Sequence, residues 1–177
     1  MKHYLNLTAT LLILSLNCFS QEKTYPTPDY DNAPFYYNLQ TNQLTELEAI
    51  QYTIGSRPKG AFGAESALYI EGKTSVMKIN KDSANFIVKL KAGVDPRTLM
   101  DLDRTKVNEN SGKREYLIYK KGAFTGESVN QPIELGFKKI GEGIYLVTPK
   151  ATLTSGEYFF SLLENTKSKI VYCFSIN

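Results

Sequence analysis

Apolar and polar residues alternate with a period of two along much of the chain after residue 34. In the run Asn85–Lys91, Phe86, Val88 and Leu90 would face one side and the two lysines the other. Such alternation predicts antiparallel strands with one buried face. The predicted strands are Phe35–Leu39, Leu44–Ala49, Ala67–Glu71, Ser75–Ile79, Asn85–Lys91, Thr98–Asp103, Arg114–Lys121, Ile133–Lys138, Ile144–Thr148, Glu157–Leu163 and Lys169–Ile176.

Turn residues separate these runs. Asn108–Gly112, Gly141–Gly143 and Asn165–Ser168 predict tight turns, and Ser56–Glu65 predicts a glycine-containing loop. The first two strands form a predicted hairpin, although Thr45–Glu48 also suits a helical capping box. Short strands at this spacing, without a long amphipathic helix, indicate an all-β sandwich or barrel.

A tyrosine near the start of the penultimate strand favours the sandwich. Gly156 and Tyr158 stand where immunoglobulin-like domains place a tyrosine corner, whose hydroxyl bonds back to nearby backbone. We therefore predict an immunoglobulin-like antiparallel sandwich over residues 65–177. A hairpin and loop precede it at 35–64, and residues 35–177 are expected to form one globular unit.

The first twenty residues have the layout of a secretory signal peptide. A basic start at Lys2 and His3 precedes a largely apolar run, and cleavage is predicted between Ser20 and Gln21. The apolar run is shorter than the roughly 20 residues that span a bilayer. The three prolines in residues 21–34 then predict an extended leader. We expect an exported protein, periplasmic or extracellular.

Cys18 offers a competing interpretation, as the lipidated first residue of a lipoprotein. Lipoprotein signals have a small residue before that cysteine and an aliphatic one three positions before it. Asn17 and Ser15 occupy those positions here, which disfavours a lipid anchor.

Composition excludes most catalytic classes once the signal is removed. The only histidine is His3, and the chain has no tryptophan. Without histidine the exported part cannot build a Ser-His-Asp unit or an H-E-x-x-H zinc site. The chain carries 21 Lys and Arg against 18 Asp and Glu, a balance that gives no reason to expect nucleic acid. No cofactor is expected.

Two carboxylate pairs remain as candidate chemistry. Asp101 with Asp103, and Glu46 with Glu48, stand at i and i+2, so each pair would project from one strand face about 7 Å apart. Glycosidases use two carboxylates at comparable separations. An exposed, solvated strand face carries the same pattern, and we favour that interpretation.

Three other groups admit both a functional and a structural interpretation. Oxygen-rich clusters at residues 29–32 and 108–110 are more typical of Asx turns than of calcium sites. Cys173, on the strand face opposite Tyr172 and Phe174, is expected to be a small, inert hydrophobe, although an odd exported cysteine can also form an intermolecular disulfide. The basic pairs could bind anionic envelope polymers or protect strand edges. They are Lys113-Arg114, Lys120-Lys121 and Lys138-Lys139.

Tyrosines near the N-terminus could line a sugar or peptide groove. These are Tyr25, Tyr30, Tyr36 and Tyr37. Because Tyr36 and Tyr37 are adjacent on a predicted strand, only one of them can face the core.

The C-terminal region resembles that of an uncharacterised family of secreted bacterial proteins. Those proteins have a G-E-Y-x-F strand, as at residues 156–160, and a C-F-G-I-D-like tail. Residues 173–177 match this tail except at Ser175 and Asn177. Further matches are Leu47-Glu48, Glu71–Ser75 and Lys113–Glu115. The resemblance implies a secreted β-sandwich and carries no activity.

A second similarity concerns secretion. Leu153, Gly156 and Tyr158, followed by two closing strands, are similar to the C-terminal sorting domain of type IX secretion cargo. That domain ends in a lysine-rich strand, which Phe174–Asn177 lacks.

These patterns together predict a non-enzymatic exported module that binds or assembles at the bacterial cell envelope. Its expected partner is an envelope protein or glycan, with membrane contact only through the signal peptide before cleavage. One alternative is a glycan hydrolase using Asp101 and Asp103. Another is an accessory or cargo domain that pairs through a strand edge or the leader.

Overall fold

Strands and turns make up nearly all of the structure. The computed structural model describes residues 24–60, 62–122, 126–129, 131–163 and 168–177. The described strands are β1 Pro34–Asn38, β2 Gln43–Glu46, β3 Glu48–Lys59, β4 Gly63–Glu71, β5 Lys78–Ile79, β6 Phe86–Lys89, β7 Met100–Arg104, β8 Lys106–Asn108, β9 Lys113–Lys121, β10 Gly126–Ser128, β11 Leu135–Gly141, β12 Ile144–Pro149, β13 Gly156–Leu162 and β14 Ile170–Ile176. Short 3-10 turns lie at Lys81–Ser83 and Pro96–Thr98.

Two antiparallel sheets pack face to face, so the predicted all-β sandwich is confirmed. The smaller sheet has the order β11-β12-β6-β1-β2. The larger has the order β10-β9-β4-β3-β14-β13-β7, with β8 added to β9 and the short β5 parallel to β14. Its immunoglobulin-like character stays a prediction.

The main core lies between the sheets and is built from alternate strand positions. Phe86 and Val88 from the smaller sheet meet Phe160 and Phe174 from the larger. The rings of Phe86 and Phe160 are 4.8 Å apart at an edge-to-face angle. Further members include Leu102, Val147, Tyr158, Leu162 and Ile176.

The larger sheet curls back on itself and encloses a second core. β7 pairs with β13, whereas β8, separated from β7 only by Thr105, pairs with β9. The strands β9, β4, β3, β14, β13 and β7–β8 therefore form a closed ring. Phe159, Val171 and Cys173 point into this ring beside Leu68 and Ile70. β13 and β14 are consequently buried on both faces.

The hairpin predicted at Phe35–Leu39 and Leu44–Ala49 is present as β1 and β2, but its second half is divided. The chain leaves the smaller sheet at Leu47, which is buried, and enters the larger sheet as β3. The alternative of a helical capping box at Thr45–Glu48 is wrong. Strands on both sides of residue 64 belong to the same sheet, because β3 pairs with β4 and β14.

The loop predicted over Ser56–Glu65 is wrong. β3 continues to Lys59 and β4 begins at Gly63, so residues 60–62 alone connect them. Cross-strand bonds extend the hairpin: the hydroxyls of Ser56 and Ser66 are 2.7 Å apart. A Cβ at Gly63 would lie 2.4 Å from the Lys59 carbonyl oxygen, so the tight turn requires glycine there.

The described part of the leader, residues 24–33, packs on the outer face of the smaller sheet. The ring of Tyr25 lies 5.8 Å from that of Tyr37, and the ring of Tyr30 lies 6.2 Å from that of Phe35. The backbone N–H of Asn32 donates to the Lys89 carbonyl at 2.8 Å. The predicted signal peptide and its cleavage point, Ser20 and Gln21, lie outside the described residues.

The hydrogen bond predicted for the tyrosine corner is present. The hydroxyl of Tyr158 donates to the backbone oxygen of Thr154 at 2.7 Å. Gly156, two residues before Tyr158, has a φ of +155°. A Cβ at this position would lie 2.8 Å from Nη2 of Arg104. Glycine thus lets the Arg104 guanidinium approach the backbone before β13.

Candidate functional site

A cationic cavity lies where the long β3–β4 hairpin meets β8 and β9. Its volume is about 410 Å³. The charged residues that line it are Arg57, Lys59, Arg104, Lys106 and Lys120, together with Glu65 and Glu115. Their formal charges sum to +3, a strong local excess in a chain whose total is also +3.

Strand register explains why these side chains converge. Glu65 on β4 lies between Arg57 on β3 and Lys120 on β9 in the paired positions. In the next row on the same face, Ala67 pairs with Leu117. Ala67 is small and buried, so it leaves an apolar floor with space above it for the longer charged side chains.

The two acids of the cavity are neutralised from within it. Glu65 is buried and accepts hydrogen bonds from Nε and Nη2 of Arg57, each at 3.3 Å, and from Lys59. The Lys59 hydrogen bond is the largest influence that holds the Glu65 pKa below its ordinary value. Glu115 accepts from Arg57 at 3.4 Å and from Asn108 at 2.7 Å.

Two cations remain for an incoming group. The side chains of Lys106 and Lys120 make no hydrogen bond or ion pair within the described part of the chain. Arg104 also lines the cavity, but its guanidinium donates to Thr154 Oγ1 at 3.0 Å and to the Ser155 carbonyl at 2.7 Å and lies 5.7 Å from the centre of the Tyr158 ring. None of those three residues lines the cavity. The two unmatched lysines therefore suit an anionic ligand.

The predicted pair Asp101 and Asp103 lies beside this cavity, but not in its lining. Asp101 is exposed, whereas Asp103 is buried inside the curled sheet and accepts a hydrogen bond from the Tyr116 hydroxyl. Burial raises the pKa of Asp103 to about 6; the Tyr116 hydrogen bond opposes the shift, and Asp101 adds to it. Tyr116 also lines the cavity, and so connects the two regions.

The other carboxylate pair is separated by the fold. Glu46 ends β2 in the smaller sheet, while Glu48 begins β3 and points into the curled sheet. There Nη1 of Arg114 donates to Glu48 at 3.0 Å. The idea that these two glutamates share one strand face is wrong, because the chain changes sheets between them.

Arg114 and Glu157 form the centre of a buried polar cluster at this end of the curled sheet. Arg114 donates to the carbonyls of Glu71 and Gly72 and lies 3.7 Å from Glu157. Glu157 accepts from Thr74 and Ser175 through one oxygen. Four of the short motifs on which the family resemblance depends contribute to this cluster, through Glu48, Glu71 and Gly72, Arg114, and Glu157. Arg114 is 1% exposed, so it cannot belong to a surface basic pair with Lys113.

The remaining candidate residues have structural surroundings. Asn108 caps the β8–β9 turn by accepting from the N–H groups of residues 110 and 111, which confirms an Asx turn. Asp31 pairs with Lys89 at 2.8 Å. Among the described residues, no group of three or more His, Cys, Asp or Glu could hold a metal ion. Cys173 is fully buried.

The N-terminal tyrosines mostly pack rather than line a shared groove. Tyr36 packs against the main core, while Tyr37 is buried on the other face of β1 and donates to Asn42 at 2.8 Å. Tyr30 lines a separate cavity of about 370 Å³ with Tyr172.

A larger cavity, of about 770 Å³, lies between residues 92–97 and the β11–β12 hairpin. Among its cations, Arg97 is bonded to Asp95 at 2.7 Å and Lys150 to Glu134, so their charges are already matched. Lys139 also lines it. The smaller cavity is therefore the better candidate for an anionic ligand.

Sequence reasoning identified Lys120 but missed Arg57, Lys59 and Lys106. Pro58 and Gly60 made that segment resemble a loop, although Arg57 and Lys59 already stood at the i and i+2 spacing of one strand face. No local sequence pattern could have placed Lys106 in the cavity, because its position depends on the pairing of β8 with β9.

Comparisons with protein-family models, with curated proteins and with solved structures found no match to this chain. The resemblance to a family of secreted proteins therefore stays a prediction. In the part of the chain that the structure describes, no helix has the length and apolar character needed to cross a membrane.

Proposed function

We propose that this protein is an exported, non-enzymatic binding module of the bacterial cell envelope that holds an anionic ligand in the cationic cavity. The observation that carries the proposal is the unmatched charge of Lys106 and Lys120 beside a space of about 410 Å³. Charged groups held in a concave site attract and orient an opposite charge more strongly than isolated surface lysines do. Acidic glycans of the envelope have the required chemistry.

The proposal can be tested by titration calorimetry with an acidic oligosaccharide, oligogalacturonate, against the neutral maltohexaose. We expect the acidic sugar alone to bind. The double variant Lys106→Gln, Lys120→Gln should weaken binding about tenfold, roughly 1.4 kcal/mol. The matched control Lys138→Gln, Lys139→Gln changes two lysines outside this cavity and should leave affinity unchanged. Equal losses in both variants would show only a general charge effect.

The raised pKa of Asp103 favours one alternative, a carboxylate-dependent glycan hydrolase. A general acid at neutral pH needs such a shift. Against it, Asp103 is 5% exposed and its carboxylate is engaged by Tyr116. Turnover of a glycan that disappears in Asp103→Asn would establish the hydrolase and overturn the binding module.

A further inference from the structure

The tip of the β3–β4 hairpin presents an exposed aromatic side chain. Phe62 follows the turn and is 80% exposed. A phenylalanine at a hairpin tip gains nothing from the folded core, so it suggests contact with another apolar phase.

Two lysines end strands at this end of the sheet. Lys59 ends β3 with its side chain 63% exposed, and Lys121 ends β9, also exposed. The pairing of Ala64 with Lys121 places the ends of the two strands side by side. A Cβ at Gly63 would lie 3.1 Å from the Lys121 carbonyl oxygen, which shows how closely the hairpin approaches β9.

Tyr119, 39% exposed, adds another partly exposed ring near the end of β9.

We propose that this hairpin tip docks onto an anionic lipid surface, with Phe62 entering the boundary between headgroups and acyl chains and Lys121 contacting a lipid phosphate, beside Lys59, which is paired with Glu65. Apolar burial together with basic residues at a negatively charged surface is the combination that holds peripheral proteins on membranes. The match between this charge pattern and an anionic headgroup layer selects a lipid surface. Exposed rings alone would not, since they would also suit a protein partner. The proposal departs from the expectation that only the signal peptide contacts a membrane.

Docking at the tip goes beyond the binding function of the cavity. Lys59 lines the cavity, but Phe62 and Lys121 do not. Changes at these two residues therefore affect the lipid contact without removing a charge from the cavity lining. Conversely, Lys106 and Lys120 can be neutralised while the tip residues stay intact.

The chain contains no tryptophan, so a single substitution supplies a clean probe. The processed protein, with its N-terminus determined by mass spectrometry, is used throughout. The fluorescence of Phe62→Trp should shift to the blue with vesicles containing phosphatidylglycerol and not with pure phosphatidylcholine. Val76→Trp is the matched control, because Val76 is 83% exposed on the segment between β4 and β5. It should show no shift.

Vesicle co-sedimentation then measures the contribution of each residue. Phe62→Ser should weaken binding to phosphatidylglycerol vesicles about tenfold or more, and Lys121→Gln about fivefold. Val76→Ser and Lys138→Gln should bind as the parent does. Circular dichroism checks that each variant is folded.

Several results would overturn the docking proposal. They are parental protein that does not bind anionic vesicles, equal binding to pure phosphatidylcholine, and unchanged binding by Phe62→Ser. The double variant Lys106→Gln, Lys120→Gln separates the two proposals. If it keeps vesicle binding but loses the acidic oligosaccharide, both stand. If neither the parent nor the variant binds the sugar while vesicle binding persists, only the cavity proposal fails.

Discussion

The backbone N–H of Ser75 donates a 2.8 Å hydrogen bond to Glu157, 82 residues further along the chain. The second oxygen of the same carboxylate accepts from Thr74 at 2.7 Å and from Ser175 at 2.6 Å. Glu157 therefore holds the segment between β4 and β5 against β14, and Arg114 supplies the neighbouring positive charge. A buried carboxylate with this many donors is stable only while all of them are in place.

Glu157→Ala should lower the free energy of unfolding by about 3–5 kcal/mol, because it removes a buried charge from a network that keeps Arg114 buried. Glu157→Gln should cost less, since the amide oxygen still accepts a hydrogen bond. Urea denaturation measures both. Glu134→Ala is the control, because Glu134 pairs with Lys150 at the surface. It should cost about 0.5 kcal/mol. Equal losses in both alanine variants would contradict a structural role for the cluster.

Local alternation was sufficient to predict the main core. Tyr158 and Phe160 lie on the predicted face of β13 because the period of two is clear there. Alternation predicts one buried face, yet the opposite face, with Phe159 and Cys173, is buried as well. It is covered because β7 and β8 pair with different strands and close the sheet, and no local pattern reports such a long-range pairing.

The candidate site was harder to predict for the same reason. Lys120 was visible as part of a basic pair, but Arg57, Glu65 and Lys106 approach it through pairings between β3, β4, β8 and β9. Pro58 and Gly60 suggested a loop, but this segment belongs to a hairpin. Its strands pair as far as Lys59 and Gly63, and the hydroxyls of Ser56 and Ser66 are hydrogen-bonded across it. Which charged side chains lie together depends on the register in which the strands pair, and short sequence motifs do not specify that register.

Asp103 should make stability depend on pH. Its pKa is raised from 3.8 to about 6, so the folded state binds the proton more tightly than the unfolded chain. The contribution to the free energy of unfolding therefore rises as pH falls from about 6 towards 4, by an amount on the order of 2 kcal/mol. Asp103→Asn should remove this pH dependence and unfold at equal or higher urea concentration than the parent at pH 7.5.

Asp101→Asn is the control for that measurement. Asp101 is exposed and contributes the smallest of the three influences on the pKa of Asp103. The stability of this variant relative to Asp103→Asn should still rise as pH falls from 6 to 4. A stability difference between the parent and Asp103→Asn that does not change across this interval would contradict the raised pKa.

Tyr158→Phe should lower the free energy of unfolding by about 1 kcal/mol. The change removes the 2.7 Å hydrogen bond that a buried side chain donates to the backbone oxygen of Thr154. Tyr119→Phe is a matched control, because the Tyr119 hydroxyl makes no hydrogen bond among the described residues. Thermal or urea unfolding should separate the two variants. If they are equally stable, the corner bond contributes nothing.

Cys173 should be unreactive in the folded protein. The thiol is fully buried beside Phe159 and Val171, and burial raises its pKa to about 12, so almost no thiolate exists at neutral pH. Thiol titration of the processed protein should detect no reaction under native conditions and one equivalent in guanidinium. Two equivalents would show that Cys18 is retained and unmodified, against cleavage after Ser20. A dimer on non-reducing gels that disappears with reductant would contradict the inert thiol, because a disulfide between chains requires Cys173 to reach the surface.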